Sequence, residues 1–223
     1  KTQKRGGRGI TGMKQREEDF VEEMFICGTH DNILFITNKG IMYKLKCYEI
    51  PDGSKASRGF NLINLLPLTE NEKVTAMIKT ADFGDDRFIT IVTKNGKIKR
   101  TNLSFYKNVR KNGLIAIGLD EGDEIAGCRM TNGKEQIFVA TRNGMAIRIE
   151  EEKGRALSRS AHGVKAIKLR EGDYVVGIAK VREGASLLTV TDNGYGKRTE
   201  IDSYRIQNRG GYGLTNYKVD EIR

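Results

Sequence analysis

Short apolar, β-branched runs recur along the chain, and each ends in the same polar four-residue pattern. Ile33-Leu34-Phe35-Ile36 leads into Thr37-Asn38-Lys39-Gly40, and Phe88-Ile89-Thr90-Ile91-Val92 into Thr93-Lys94-Asn95-Gly96. Ile137-Phe138-Val139-Ala140 leads into Thr141-Arg142-Asn143-Gly144, and Leu187-Leu188-Thr189-Val190 into Thr191-Asp192-Asn193-Gly194. An apolar run followed by Thr-x-x-Gly, with Asn-Gly in three of the four copies, predicts a β-hairpin. A second strand follows each turn, and four residues past the glycine stands a cation: Lys44, Arg100, Arg148 or Arg198.

A second glycine column runs through Gly9, Gly59, Gly113, Gly163 and Gly213. The next residue is always apolar (Ile10, Phe60, Leu114, Val164, Leu214), and Met13, Ile63, Ile117, Ile167 or Tyr217 follows four past the glycine. Acidic turns come next, as in Glu18-Asp19, Asn71-Glu72, Glu121-Gly122-Asp123 and Glu171-Gly172-Asp173. Another apolar strand follows each, such as Val175-Val176-Gly177-Ile178. Four short strands in each unit of about 50 residues predict an all-β, propeller-like wheel of four-stranded blades. One blade cannot bury its own faces, so neighbours must stack. The expected organisation is one repeat domain over 1–223, with a half repeat at 1–29 and repeats at 30–80, 81–130, 131–181 and 182–223, four to five blades in all. No segment carries a convincing helical period, and Gly154 argues against a helix from Glu150 to Arg155.

Charge adds a partner to this picture. Lys plus Arg number 39 against 29 Asp plus Glu, a net charge of +10. Such a balance points to a polyanion. No basic amphipathic helix is visible, which disfavours a membrane surface, and no apolar stretch approaches the roughly 18 residues of a membrane span. Cys27, Cys47 and Cys128 are far apart without a Cys-x-x-Cys pair, so they read as reduced thiols of a cytoplasmic protein. The chain opens on Lys rather than Met and has no signal peptide, and it is expected to be a piece of a longer protein.

Catalytic chemistry finds little support. His30 and His162 are the two histidines, and neither belongs to a metal-spaced or triad-like set. Gly6 to Gly9 is not a phosphate-binding P-loop, because no Gly-Lys-Ser/Thr closes it. No metal or cofactor is expected in this segment.

Cations gather instead in the loop before each second-column glycine: Lys4, Arg5 and Arg8; Lys55 and Arg58; Lys107, Arg110 and Lys111; Arg155 and Arg159; Arg205 and Arg209. Together with Lys99 and Lys197 beside the strand cations, they are the candidate phosphate contacts. Repetition is expected to set them on one rim or outer edge, with the carboxylates clustered elsewhere. Aromatics for base stacking are not interleaved with them, although Tyr106 and Tyr204 lie near, so duplex backbone is favoured over single strands. Bending a 20–30 bp duplex along a curved rim costs on the order of 1–6 kcal/mol, which several charge-assisted phosphate bonds can offset.

One stretch is more specific than the rest. Gln3-Lys4-Arg5-Gly6-Gly7-Arg8-Gly9 sets three cations among three glycines, and Gln207-Asn208-Arg209-Gly210-Gly211-Tyr212-Gly213 repeats it in altered form. Across essentially the whole chain, this box, the Thr-x-Asn-Gly-x-x-x-Arg hairpins and the later copy closely resemble the C-terminal domain of the bacterial DNA gyrase A subunit. The resemblance implies a β-pinwheel that wraps duplex DNA on its outer surface, with the box needed for wrapping. It implies a parent ATP-dependent type II topoisomerase that introduces negative supercoils, with ATP and Mg bound elsewhere. The partners it implies are the gyrase B subunit, with a second copy of the A subunit. It also implies a nucleoid-associated cytoplasmic protein whose isolated domain is monomeric and not itself catalytic. RNA binding, a propeller scaffold for an acidic protein and the related topoisomerase IV subunit remain the alternatives. An intact box favours gyrase over topoisomerase IV.

Overall fold

The computed structural model describes residues 5–7, 23–54 and 57–219. In chain order the strands are β1 (Asn32–Thr37), β2 (Ile41–Lys46), β3 (Val74–Thr80), β4 (Phe88–Thr93), β5 (Lys97–Asn102), β6 (Leu114–Ile115) and β7 (Ile125–Thr131). They continue as β8 (Gln136–Thr141), β9 (Met145–Glu150), β10 (Val164–Lys165), β11 (Val175–Lys180), β12 (Ser186–Val190), β13 (Gly196–Glu200) and β14 (Leu214–Thr215). Three four-stranded antiparallel sheets have the orders β3-β1-β2-β6, β7-β4-β5-β10 and β11-β8-β9-β14. Among the described residues, β12 and β13 form a two-stranded sheet.

The Thr-x-x-Gly pattern has a physical reason. In each hairpin the glycine N–H donates to the threonine carbonyl, as from Gly40 to Thr37 at 3.0 Å and Gly96 to Thr93 at 3.0 Å. The threonine hydroxyl then accepts from the residue after the glycine: Ile41, Lys97, Met145 and Tyr195 donate to Thr37, Thr93, Thr141 and Thr191 at 3.2–3.3 Å. The register Ile36↔Met42 leaves a three-residue loop with the glycine in the left-handed region, Gly40 at φ 76°. Asn-Gly alone predicts a two-residue turn with Asn also at positive φ; here Asn95, Asn143 and Asn193 stay at negative φ, and the glycine alone supplies the left-handed step.

One expectation is corrected. A unit of about 50 residues does not contain all four strands of its own sheet. The short fourth strand arrives from beyond the next hairpin: β6 completes the sheet of β1–β2, β10 that of β4–β5, and β14 that of β8–β9. The two glycine columns meet at this junction. The N–H of Ala116, Ala166 and Asn216, each three past a second-column glycine, donates at 2.8 Å to the carbonyl of Gly40, Gly96 and Gly144. The approach leaves no room for a side chain, since a Cβ on Gly144 would lie 2.0 Å from the Tyr217 carbonyl oxygen.

Strands β3, β7 and β11 pack successively against one another, so they form the inner layer, and the second hairpin strands with their short partners face outward. The first sheet is covered on one face by the second sheet and on the other by residues 62–68, which is why β1 is buried at every position. One core joins the first two sheets through Leu34, Ile36, Met42, Ile89, Ile91 and Ile117. A second joins the next pair through Val92, Ile98, Val139, Ile147, Ile167 and Ile178. On the two-stranded hairpin the pattern lapses, and Leu188 and Val190 are exposed.

Candidate nucleic-acid interface

Among the described residues, the basic loops after β9 and β13 cross the outer edge of the preceding sheet. Leu157 N–H donates to the Arg100 carbonyl at 3.0 Å, and Gln207 N–H to the Arg148 carbonyl at 2.8 Å. Parallel bridges join Arg100 to Ala156 and Arg148 to Ile206. The loops carrying Arg155 and Arg159, and Arg205 and Arg209, therefore recur at one place on the fold. Arg58, Lys107, Arg110, Lys111, Arg155, Arg205 and Arg209 are exposed, and Arg159 is half-buried. In the box, Arg5, Gly6 and Gly7 are exposed; Gln3, Lys4, Arg8 and Gly9 lie outside the described residues, as does Lys55.

The strand column behaves differently, which corrects its reading as a row of phosphate contacts. The Arg148 side chain is 11% exposed, and its guanidinium donates to the carbonyls of Ile201 (2.9 Å) and Tyr204 (3.1 Å) and to Gln136 Oε1 (2.9 Å). Asp202 lies 3.4 Å away. Arg100 lies over the Phe88 ring at 4.9 Å, donates to the Gly133 carbonyl at 3.1 Å, and faces buried Glu151 at 3.7 Å. Lys44 donates to the Lys107 carbonyl at 2.6 Å and sits 5.3 Å from the Phe83 ring centroid. Burial and the nearby Lys46 ammonium lower the Lys44 pKa. These side chains brace loops and turns from beneath, and the planar Arg148 guanidinium satisfies two carbonyls at once. Arg198, on the two-stranded hairpin, stays exposed.

Lys99 leaves the candidate interface altogether. It is fully buried, and its ammonium donates to the carbonyls of Ala116 (2.7 Å), Ser158 (3.0 Å) and Arg159. Burial first, and then the Arg159 charge, push its pKa down to about 7. Lys197 occupies the same phase and donates to the Asn216 carbonyl at 3.2 Å while remaining exposed. Tyr106 and Tyr204 are buried, with hydroxyls bonded to Ala116 O (3.0 Å) and Asn216 Oδ1 (2.5 Å), so neither offers a stacking face.

The acidic turns also have a local task. Asp123 accepts from Asn95 N–H at 3.0 Å, and Asp173 from Asn143 N–H at 3.0 Å and the Thr141 hydroxyl at 2.7 Å, so each caps the hairpin turn of its own sheet. Burial pushes Glu72 up, but hydrogen bonds from Thr69, Thr37 and Tyr43 outweigh it and hold the carboxyl below its ordinary value. Segregation of acid from base is incomplete. Asp120 bonds Lys97 and lies 2.7 Å from His162 Nδ1 on a basic loop, and those hydrogen bonds lower its pKa.

Two cations escaped the sequence reading. Lys165 and Lys168 are exposed beside the second copy of the box. Gly210 N–H donates to the Ala166 carbonyl at 2.6 Å, Lys168 N–H to Gly211 at 2.8 Å, and Arg209 to the Lys165 carbonyl at 3.2 Å. The Lys168 ammonium stands 4.8 Å over the Tyr212 ring. Only the packing of the Gly-Gly segment across this strand brings them to the loop. Among the described residues, no group of three or more His, Cys, Asp and Glu is placed to hold a metal ion, and no helix is long and apolar enough to cross a membrane.

Known proteins share this arrangement. The DNA gyrase A subunit of Clostridium acetobutylicum is 51% identical over 164 residues, covering 74% of this chain and 20% of that protein. Its counterpart in Halalkalibacterium halodurans is 47% identical over 165 residues, again covering 74% and 20%. The chain thus spans about a fifth of the length of these relatives. Among solved structures, the C-terminal domain of DNA topoisomerase IV superposes with a TM-score of 0.78 at 29% identity, covering 84% of this chain and 58% of that one. A DNA gyrase A C-terminal domain superposes at 0.72 with 28% identity, covering 92% and 68%. The family described as "DNA gyrase C-terminal domain, beta-propeller" matches residues 1–27, 31–81, 88–132, 135–182 and 185–221, and the chain belongs to that family.

Proposed function

We propose that this domain binds, bends and wraps duplex DNA along its outer edge, without reading sequence, as part of a gyrase that introduces negative supercoils at the expense of ATP. The observation that supports this reading most directly is the recurrence of exposed loop cations at the outer edge of successive sheets. Lys and Arg there neutralise phosphates, release counterions and leave the bases unread. The parent enzyme would draw ATP, Mg, the gyrase B subunit, plus a second copy of the A subunit, from outside this chain. It would work on the nucleoid.

The exposed set is Arg58, Lys107, Arg110, Lys111, Arg155, Arg205 and Arg209, with Arg5 of the box, Lys197 and Arg198; Lys165 and Lys168 join it. Lys99, Arg100 and Arg148 support it from beneath. A short duplex with fluorophores at its two ends tests the reading: wrapping brings the ends together. Alanine at Lys107, Arg110 and Lys111 together should weaken binding equally for unrelated sequences. It should also flatten the salt dependence by about 0.9 for each phosphate no longer neutralised. Binding confined to one sequence, or an unbent duplex, would overturn it. A topoisomerase IV subunit is the second reading, favoured by the superposition on that domain; the intact box favours gyrase.

A further inference from the structure

Two of the three cysteines, separated by 20 positions in sequence, are brought together at the edge of the first sheet. A turn over Gly28–Asp31 is closed by Asp31 N–H on the Gly28 carbonyl (2.9 Å) and Gly28 N–H on Asp31 Oδ2 (2.7 Å). This turn lies against the end of β2: Cys47 N–H donates to the Asp31 carbonyl at 2.9 Å, Tyr48 N–H to Thr29 at 3.1 Å, and Lys46 Nζ to His30 at 3.0 Å. Lys79 Nζ holds the Ile26 carbonyl on the other side of Cys27. Both thiols pack against the cluster of Ile33, Phe35, Tyr43 and Leu66, and the neighbouring Cys27 thiol raises the Cys47 pKa. Both are half-buried, whereas Cys128 is buried.

We propose that Cys27 and Cys47 are a reversible redox pair, a modification site separate from the DNA surface. Isolated thiols filling core space need neither proximity to one another nor access to solvent, and this pair has both. Oxidation by a low-molecular-mass disulfide proceeds in two exchanges. The thiolate of one cysteine attacks the small disulfide, forms a mixed disulfide and expels one small thiolate. The other cysteine attacks the protein sulfur of that mixed disulfide, closes the Cys27–Cys47 bond and expels the second small thiolate. Two protein thiols are oxidised, one small disulfide is reduced to two thiols, and the two protons lost by the protein end on those thiols. The bridge ties the segment that follows the box to the first sheet. The neighbouring Cys27 thiol raises the Cys47 pKa, so exchange should quicken as pH rises above neutrality.

The test uses the full-length protein that carries this chain, equilibrated with oxidised and reduced glutathione at mildly alkaline pH, alkylated and digested without reduction. The expected result is a cross-linked peptide pair containing residues 27 and 47, lost on treatment with dithiothreitol. In Cys47→Ser the intermediate cannot resolve, so a glutathione adduct should accumulate on Cys27. Wild-type protein in which both thiols remain open to alkylation, or in which each carries its own glutathione, would overturn the proposal. Because the wild-type map decides by itself, poor folding of the serine variant would not obscure the answer. DNA binding is not among the readouts, so failure here leaves the wrapping proposal standing.

Discussion

The guanidinium of Arg148 donates to the backbone carbonyl of Tyr204 at 3.1 Å, across more than fifty residues of chain, and so fixes where the loop carrying Arg205 and Arg209 begins. Two kinds of cation therefore serve this edge. One kind positions loops, and the other stands on them.

The distinction can be measured. Arg148→Ala removes hydrogen bonds from a charged donor to two carbonyls and to Gln136, and bonds of this type contribute about 1.5–3 kcal/mol each when a buried partner is stranded. Denaturant unfolding should show a loss of at least about 2 kcal/mol, with weaker DNA binding as a consequence. The pair Arg205→Ala and Arg209→Ala should lower DNA affinity while moving stability by less than about 0.5 kcal/mol each, as is usual for exposed sites. Equal stability losses in both experiments would remove the division of labour.

Gly144 and Gly122 make a matched pair of tests. Both adopt positive φ (76° and 74°), but a Cβ on Gly144 would collide with the Tyr217 carbonyl, whereas on Gly122 it would meet nothing within 4 Å. Alanine at Gly122 should cost about 1–2 kcal/mol of left-handed strain. Alanine at Gly144 should cost that and dislodge β14, giving a midpoint well below the Gly122 variant in the same urea titration. Coincident curves would show that the fourth strand does not depend on this approach.

Lys99 gives a pH prediction. Its folded pKa, about 7, lies below the ordinary lysine value of 10.5, so between those limits the unfolded chain binds more protons. Stability should therefore rise with pH from about 7 upward and be lost as pH falls toward 7. Three carbonyl acceptors favour the ammonium and make the slope shallower than burial alone would. Cys128 and Tyr43, both raised to about 12 by burial, oppose the trend only above their unfolded values of 9 and 10, so the clean window is pH 7 to 9. Arg159 and the Cys128 thiol are the titratable groups facing the ammonium. Lys99→Met should flatten the slope in that window; an unchanged slope would assign it to another group.

The box yields a prediction about the whole enzyme. On the proposed function, in which wrapping would set the sense of the crossing, replacing Arg5 and Arg8 with Ala in the full-length protein should abolish supercoiling and spare relaxation. Supercoiling at the wild-type rate in a gel assay would take the box out of the mechanism.

The sequence by itself determined the repeat and its turns. Continuous apolar runs, Thr-x-x-Gly turns and two glycine columns all reflect local constraints, namely strands buried on both faces, a hydroxyl cap and left-handed backbone, so they are legible without coordinates. The positions of the basic loops were legible for the same reason, since repetition carries like residues to like places. Only the tertiary structure decided which strand finishes which sheet, because β6 reaches β2 through backbone bonds whose partners are about 70 residues apart in the chain, and pairing over such a distance leaves no local signature. It alone separated Lys99 and Arg148 from Arg155 and Arg205. A cation's charge is written in its side chain, but whether it meets a phosphate or a carbonyl depends on which loop the fold lays across it.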